Sequence, residues 1–171
     1  MHIADTHTPD DVHVYGIDLL GTGLDAAAAL PHVGTIATRD DATALRIVAH
    51  LATEAAHRRG ASTGGRPRIV LFVVGADRLF LHGEGTSSPL LAPMTTLVNE
   101  VAGTGIQIVF SGSHAVLGNR IGSTASRRLI FGANDPMEFP PAVPRPLRSQ
   151  LDVPRRCFDT ATGLLGQVAR L

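Results

Sequence analysis

Ser111, Ser113 and His114 lie close together in the chain, and Asp18 and Asp77 each follow a strand-like run. A serine, a histidine and a carboxylate that meet in space can carry out nucleophilic hydrolysis. No G-x-S-x-G elbow accompanies them, and Ser111-Gly112-Ser113 reads better as a tight strand-to-helix turn. A second set, His50, Glu54 and His57, shares one side of a helix at spacings of four and three. It lacks the H-x-x-x-H pair with an acid that zinc sites use, so it reads as a solvated surface. Cys157 is alone, which excludes an intramolecular disulfide and a cysteine metal cluster. No metal is expected. Gly21-Thr22-Gly23 lacks the third glycine and the following helix of a dinucleotide fingerprint. One absence weighs more. The 15 Lys+Arg residues are all arginine, and the phosphate-binding pattern G-x-x-x-x-G-K-[ST] needs a lysine to reach the β- and γ-phosphates.

Composition bounds the rest. At 171 residues, 44% hydrophobic and 18% charged, the chain fits one ordinary globular domain with a real core. A formal net charge of zero offers no global attraction to nucleic acid or anionic membrane. One tyrosine, six phenylalanines and no tryptophan poorly supply a stacking platform for single strands. The pairs Arg58-Arg59, Arg66-Arg68, Arg127-Arg128 and Arg155-Arg156 read as solvated loop ends. The polar, acidic start is not a signal peptide, and no apolar run approaches the ~20 residues that span a bilayer. A cytoplasmic location is expected.

The elements that must position these residues follow from periodicity. Residues 12–18 alternate and are β-branched, as in a strand. Gly21, Gly23 and Pro31 mark an irregular connection. Asp40 or Asp41 caps a helix over 42–59 whose apolar face is Leu45, Val48, Ala49, Ala52 and Ala56, ending at Gly60. The run Ile69 to Val74 predicts a strand buried on both faces. A Gly/Ser-rich loop (82–88), a helix over 90–102 behind Pro89, and a second buried strand over 106–110 come next. Residues 115–126 predict a short helix, 128–131 a fourth strand, 136–154 with its six prolines an extended segment, and 165–171 a last strand. Alternating strands and helices imply a three-layer α/β domain with a mostly parallel sheet.

Three segments carry a family resemblance. HTPDDVHVYGIDLLGTGLDAAAALPHVGTIATRDD (His7 to Asp41) joins a strand ending in Asp to a Gly-rich loop, L-P-H-V-G and an acidic pair. GIQIVFSGSHAVLGNRIGSTASRRLIFGANDPMEF (Gly105 to Phe139) is similar to a core strand, sensor region and next strand, and Val143 to Leu171 to a closing segment. In this order they resemble the FtsK/SpoIIIE motor ATPases, closest to the actinobacterial branch that includes the type VII secretion motors. The resemblance implies a RecA-like fold, in rings that pull DNA or protein with ATP and Mg²⁺. His32, of L-P-H-V-G, is read as a loop-packing residue.

The departures from that family set the expectation. The chain starts where the P-loop strand and helix should have passed, so Walker A is absent. The Walker B strand ends Val73-Val74-Gly75-Ala76-Asp77. Val74 or Gly75 stands where the acid belongs, and Asp77 comes two or three residues late, roughly 7–10 Å away on strand geometry. The sensor positions are Ser113 and His114, with histidine where that branch often has arginine. Pro154-Arg155-Arg156 replaces the final turn. Residues 1–171 are thus expected to be a single truncated or degenerate FtsK-like domain, non-hydrolytic, with no cofactor of its own. Asp77 is a vestigial Walker B residue, and Ser113 and His114 are the nucleotide-side positions. The alternative is the C-terminal part of an active translocase, whose P-loop, ATP and Mg²⁺ lie on an upstream segment or partner chain. A missing P-loop strand leaves sheet edges exposed, so a homo-oligomer or a partner ATPase chain is expected. DNA or a secreted protein would be the substrate.

Overall fold

The β-branched run at 12–18 forms β1 (Val12–Asp18), and the apolar run after Pro67 forms β3 (Arg68–Val74) beside it. These belong to a computed structural model, which describes residues 5–59, 65–80, 88–133 and 138–168. The chain divides into two compact units, Met1–Val116 and Leu117–Leu171. In the first, β2 (Val33–Thr38) and β4 (Ile106–Ser111) complete a four-stranded sheet ordered β2-β1-β3-β4, parallel throughout. Helices α1 (Asp41–Arg58) and α2 (Leu91–Glu100) supply the connections and pack against each other. This is the α/β fold with a mostly parallel sheet that strand–helix alternation predicts. No helix among the described residues is long and apolar enough to cross a membrane.

β3 is central, and Ile69, Leu71 and Val73 on one of its faces are almost wholly buried. The expected connection across Gly21, Gly23 and Pro31 holds a strand that the sequence reading lacks. β2 is short and contains Gly34, and its strand character emerges only from pairing with β1. β4 also corrects the expectation, because it is the outer strand rather than a doubly buried one. Its residues alternate between covered and exposed, and Val109 is 44% exposed.

α1 begins at Asp40, whose carboxylate accepts the Thr43 N–H at 3.0 Å and the Thr43 hydroxyl at 2.6 Å. Its buried face is Ala44, Ile47, Val48, Leu51, Ala55 and Arg58. Only Val48 is shared with the predicted face, since alanines are too alike to orient the stripe and Ile47 and Leu51 decide it. Arg58 is a second correction. It is buried, not solvated. Its Nε donates to Glu54 at 2.7 Å, and its Nη1 donates to the Pro67 and Thr104 carbonyls at 2.9 and 3.3 Å. One guanidinium thereby ties the end of α1 to the segments leading into β3 and β4. Arg58→Met is expected to cost about 1–3 kcal/mol in urea denaturation, because a half-buried carboxylate and two carbonyls lose their donor. An unchanged midpoint would show the pairing to be dispensable.

The predicted helix over 90–102 is the shorter α2, and Gly60 and 82–87 lie outside the described residues. The second unit holds a separate antiparallel sheet, β5 (Leu129–Phe131), β6 (Arg156–Asp159) and β7 (Leu164–Gln167), in that order. The predicted fourth strand thus pairs with β6 and not with the parallel sheet, a partner choice that local pattern does not encode. The 115–126 helix shrinks to a 3₁₀ turn at His114–Val116 and a single turn α3 (Arg120–Ser123), in keeping with Gly118 and Gly122. The proline-rich stretch is not extended throughout. Pro146 sits in the first turn of α4 (Arg145–Arg148), where proline loses no hydrogen bond, and a 3₁₀ turn Ser149–Asp152 follows. Phe139, Val143, Leu151 and Phe158 form this unit's core. Arg127 corrects the solvated-pair reading in part. Its guanidinium donates to Asp159 at 2.7 Å, and this pairing holds the carboxyl below the usual range.

Candidate functional site

Ligands of open parallel sheets bind outside the carboxyl ends of the strands. Here those ends carry Asp18 after β1, Arg39 after β2, Gly75 to Asp77 after β3, and Gly112 to His114 after β4. Asp18, Val74 and Ser111 lie in one register row across β1, β3 and β4.

Asp18 is fully buried, yet its carboxylate is satisfied. Oδ1 accepts the N–H groups of Leu20 (3.2 Å) and Gly21 (2.8 Å). Oδ2 accepts those of Thr22 (2.8 Å), Gly23 (3.2 Å) and Leu24 (3.2 Å). The Gly-rich loop is folded around this side chain. Burial by itself pushes the carboxyl up. The N–H bonds from Leu24, Thr22, Gly21 and Leu20 more than reverse that, so its pKa lies below the ordinary value. The Asp18 main-chain carbonyl accepts the Arg39 N–H at 3.0 Å. Arg39 adopts φ +50°, and its Nε donates back to the Leu20 carbonyl at 2.8 Å. Strand end and two loops are locked together around an anion that belongs to the protein.

The loop so held places Leu20 over the end of β3. Gly75 has φ +74°, and a Cβ built there would lie 2.4 Å from Leu20 Cγ. The position thus excludes any side chain twice, by conformation and by space. The Val74-Gly75 step therefore has no room for an acid on Gly75.

Asp77 and Ser113, read from the sequence as separate positions, are brought together. The chain bends at Gly75 into a 3₁₀ turn, Ala76–Leu79, instead of running on as a strand. Asp77 Oδ1 and Oδ2 accept the Ser113 N–H at 2.9 and 3.1 Å, and Oδ1 accepts the Ser113 hydroxyl at 2.5 Å. Gly112 permits this approach, since a Cβ there would meet Asp77 Oδ2 at 2.9 Å. His114 is exposed at the start of the following 3₁₀ turn. Ser113 donates to Asp77 and not to His114, so the Ser–His–Asp order of a hydrolase is not assembled. Ser113→Ala should leave stability within about 1 kcal/mol, since the pair is exposed, while the backbone N–H bond persists; thermal melts check this.

Among the described residues the histidines do not converge. His50 Nε2 lies 3.2 Å from the Tyr15 hydroxyl, and Glu54 is taken by Arg58. Among the described residues no three ligating side chains gather as a metal site would require. His32 is buried with Nε2 2.8 Å from the His7 carbonyl, a packing contact as read. Leu20 and Arg39 are the site residues that sequence reasoning misses. Gly75 after a strand was the one visible signal, and its meaning needs the neighbouring loop.

A parallel α/β sheet with its loops gathered at the strand ends places the first unit in the open α/β class of fold, to which RecA-like domains belong. No family model matches the chain, nor does any curated protein. Solved structures do. EccC (ATPases 2 and 3) of Thermomonospora curvata, in complex with a signal sequence peptide, aligns with 98% of the chain at 28% identity and TM-score 0.73. The cytoplasmic domain of the type VII secretion ATPase EccC from the same organism aligns with 95% at 26% identity and TM-score 0.70. EssC (ATPases 2 and 3) of Geobacillus thermodenitrificans shares the fold at TM-score 0.72 and 14% identity over 95% of the chain. The chain spans 33%, 21% and 34% of those three proteins respectively. Over nearly its whole length the chain is thus similar in sequence and fold to ATPase domains of type VII secretion motors, which are of the FtsK/SpoIIIE type.

Proposed function

We propose that residues 1–171 act as one degenerate FtsK/SpoIIIE-like domain, a cytoplasmic, non-hydrolytic structural or interaction module of a translocating system. The observation that carries this reading is the end of β3. Leu20 fills the space where an acid on Gly75 would project, and Asp77, two residues further on, is engaged by Ser113. Phosphoryl transfer depends on charge neutralisation and on an acid that holds Mg²⁺. This sequence has no lysine for the first task. Purified chain is expected to show no Mg²⁺-dependent ATP turnover above buffer. Measured turnover that tracks the protein through purification would overturn the reading.

One observation favours a second reading. The chain spans 33% and 21% of the two EccC structures, as the C-terminal part of an active translocase would. ATP and Mg²⁺ would then be held by a P-loop on an upstream segment or partner chain. An adjacent reading frame bearing G-x-x-x-x-G-K-[ST], and turnover restored on mixing the two products, would support it. A protein substrate fits better than DNA, because the net charge is zero and a relative was solved with a signal sequence peptide. Titration with such a peptide and with duplex DNA separates the two.

A further inference from the structure

The zero net charge of the chain is divided unevenly between its units. Leu117–Leu171 holds eight arginines, no histidine and four acids, a formal charge of +4. Met1–Val116 holds seven arginines and eleven acids, the balancing −4. Such asymmetry marks a preference of the basic unit for an acidic partner, which the whole-chain figure conceals.

The same unit has an apolar sheet face that its own core leaves unused. Ile130, Phe158 and Leu165 form one register row across β5, β6 and β7 and belong to the core around Phe139, Val143 and Leu151. Side chains alternate across a sheet. Leu129, Phe131, Cys157, Asp159, Leu164 and Gly166 therefore turn to the opposite face. Val168 extends it, its N–H donating to the Arg155 carbonyl at 2.9 Å. Leu129, Phe131, Leu164 and Val168 are each 45% or more exposed. They flank a low middle, where Cys157 is small and buried and Gly166 has no side chain. The acid on this face, Asp159, is buried and taken by Arg127 at 2.7 Å, while the Arg127 side chain remains 65% exposed. Arg155, beside Val168, is exposed as well.

We propose that this face of β5-β6-β7 docks an acidic protein segment that carries apolar side chains. The low middle between the leucines and Phe131 receives the apolar side chains, which a flat bilayer would not reach. Arg127 and Arg155 meet the flanking carboxylates through charge-assisted hydrogen bonds. A second copy of the same face is the wrong occupant, because a two-fold contact sets a +4 unit against a +4 unit. Phe131 alone is too little aromatic surface to stack nucleic-acid bases. The docking face rests on the interaction-module reading, but binding and turnover are measured separately and can fail separately.

Peptides enriched from a random display library on the full chain should carry Leu, Ile, Val or Phe flanked by Asp or Glu. A synthetic copy of the most enriched peptide, titrated by fluorescence anisotropy, should bind more weakly as salt rises. Leu164→Asp and Arg155→Glu, both at exposed sites, should each weaken binding about tenfold or more with an unchanged melting curve. Gln107→Glu, exposed on the first unit, should leave binding as it is. No enrichment, enriched peptides that are basic or uncharged, or binding indifferent to Leu164→Asp or to Arg155→Glu overturns the proposal. So does a Leu164→Asp-sensitive association of a different kind: with vesicles of phosphatidylcholine and phosphatidylserine, with duplex DNA, or with a second copy in light scattering.

Discussion

Asp18→Asn is expected to lower stability by about 3 kcal/mol and the melting temperature by roughly 6–12 °C. The substitution keeps the shape and removes one acceptor oxygen. Oδ1 serves two backbone N–H groups and Oδ2 serves three. Whichever oxygen becomes an amide nitrogen, it turns a donor toward donors in a buried site, and at least two N–H groups lose their partner. The pH dependence has a definite sign. The folded carboxyl lies below its unfolded value, so its stabilisation is complete above about pH 4 and is lost as pH falls through the folded pKa. The difference between the wild-type chain and Asp18→Asn should therefore be flat near neutrality and shrink in acid. Urea titrations at several pH values measure it. A difference that is small at pH 7, or that grows in acid, would show that the loop does not rest on this anion.

Gly75→Asp tests the link between fold and function. It places a carboxylate at one of the two positions, Val74 or Gly75, where the motors that this chain resembles would carry a metal-holding acid. It should not create Mg²⁺-dependent turnover, and it should destabilise by about 2–4 kcal/mol. Left-handed backbone costs an aspartate on the order of 1 kcal/mol, and the collision with Leu20 adds an overpacking term of about 1–3 kcal/mol. Leu20→Gly in the same chain should recover part of the stability, since it empties the space the new Cβ needs. It should still yield no turnover, because no lysine is present. ATP hydrolysis gained by Gly75→Asp would reverse the degenerate reading. A stable, inactive Gly75→Asp would leave the function intact but remove Leu20 as its physical cause.

Long apolar runs and strong caps are written locally, which is why β1, β3 and the Asp40 cap are legible without a structure. Leu20, Arg39 and the burial of Arg58 are not, because each depends on a segment distant in sequence. Leu20 is an ordinary loop leucine until Gly75 is beside it, and Arg58 an ordinary helix-end arginine until Pro67 and Thr104 present their carbonyls. Asp77 and Ser113 were legible as residues, and only their hydrogen bonds to each other were not.

By itself the sequence determined the α/β class, the motor-family resemblance and the absence of a phosphate-binding lysine, since each depends on residue type and order. Tertiary structure decided the strand order β2-β1-β3-β4, that residues 129–131 pair in a separate antiparallel sheet, and that Asp77 answers to Ser113. Those outcomes rest on hydrogen bonds and close contacts between segments tens of residues apart, which no local pattern encodes.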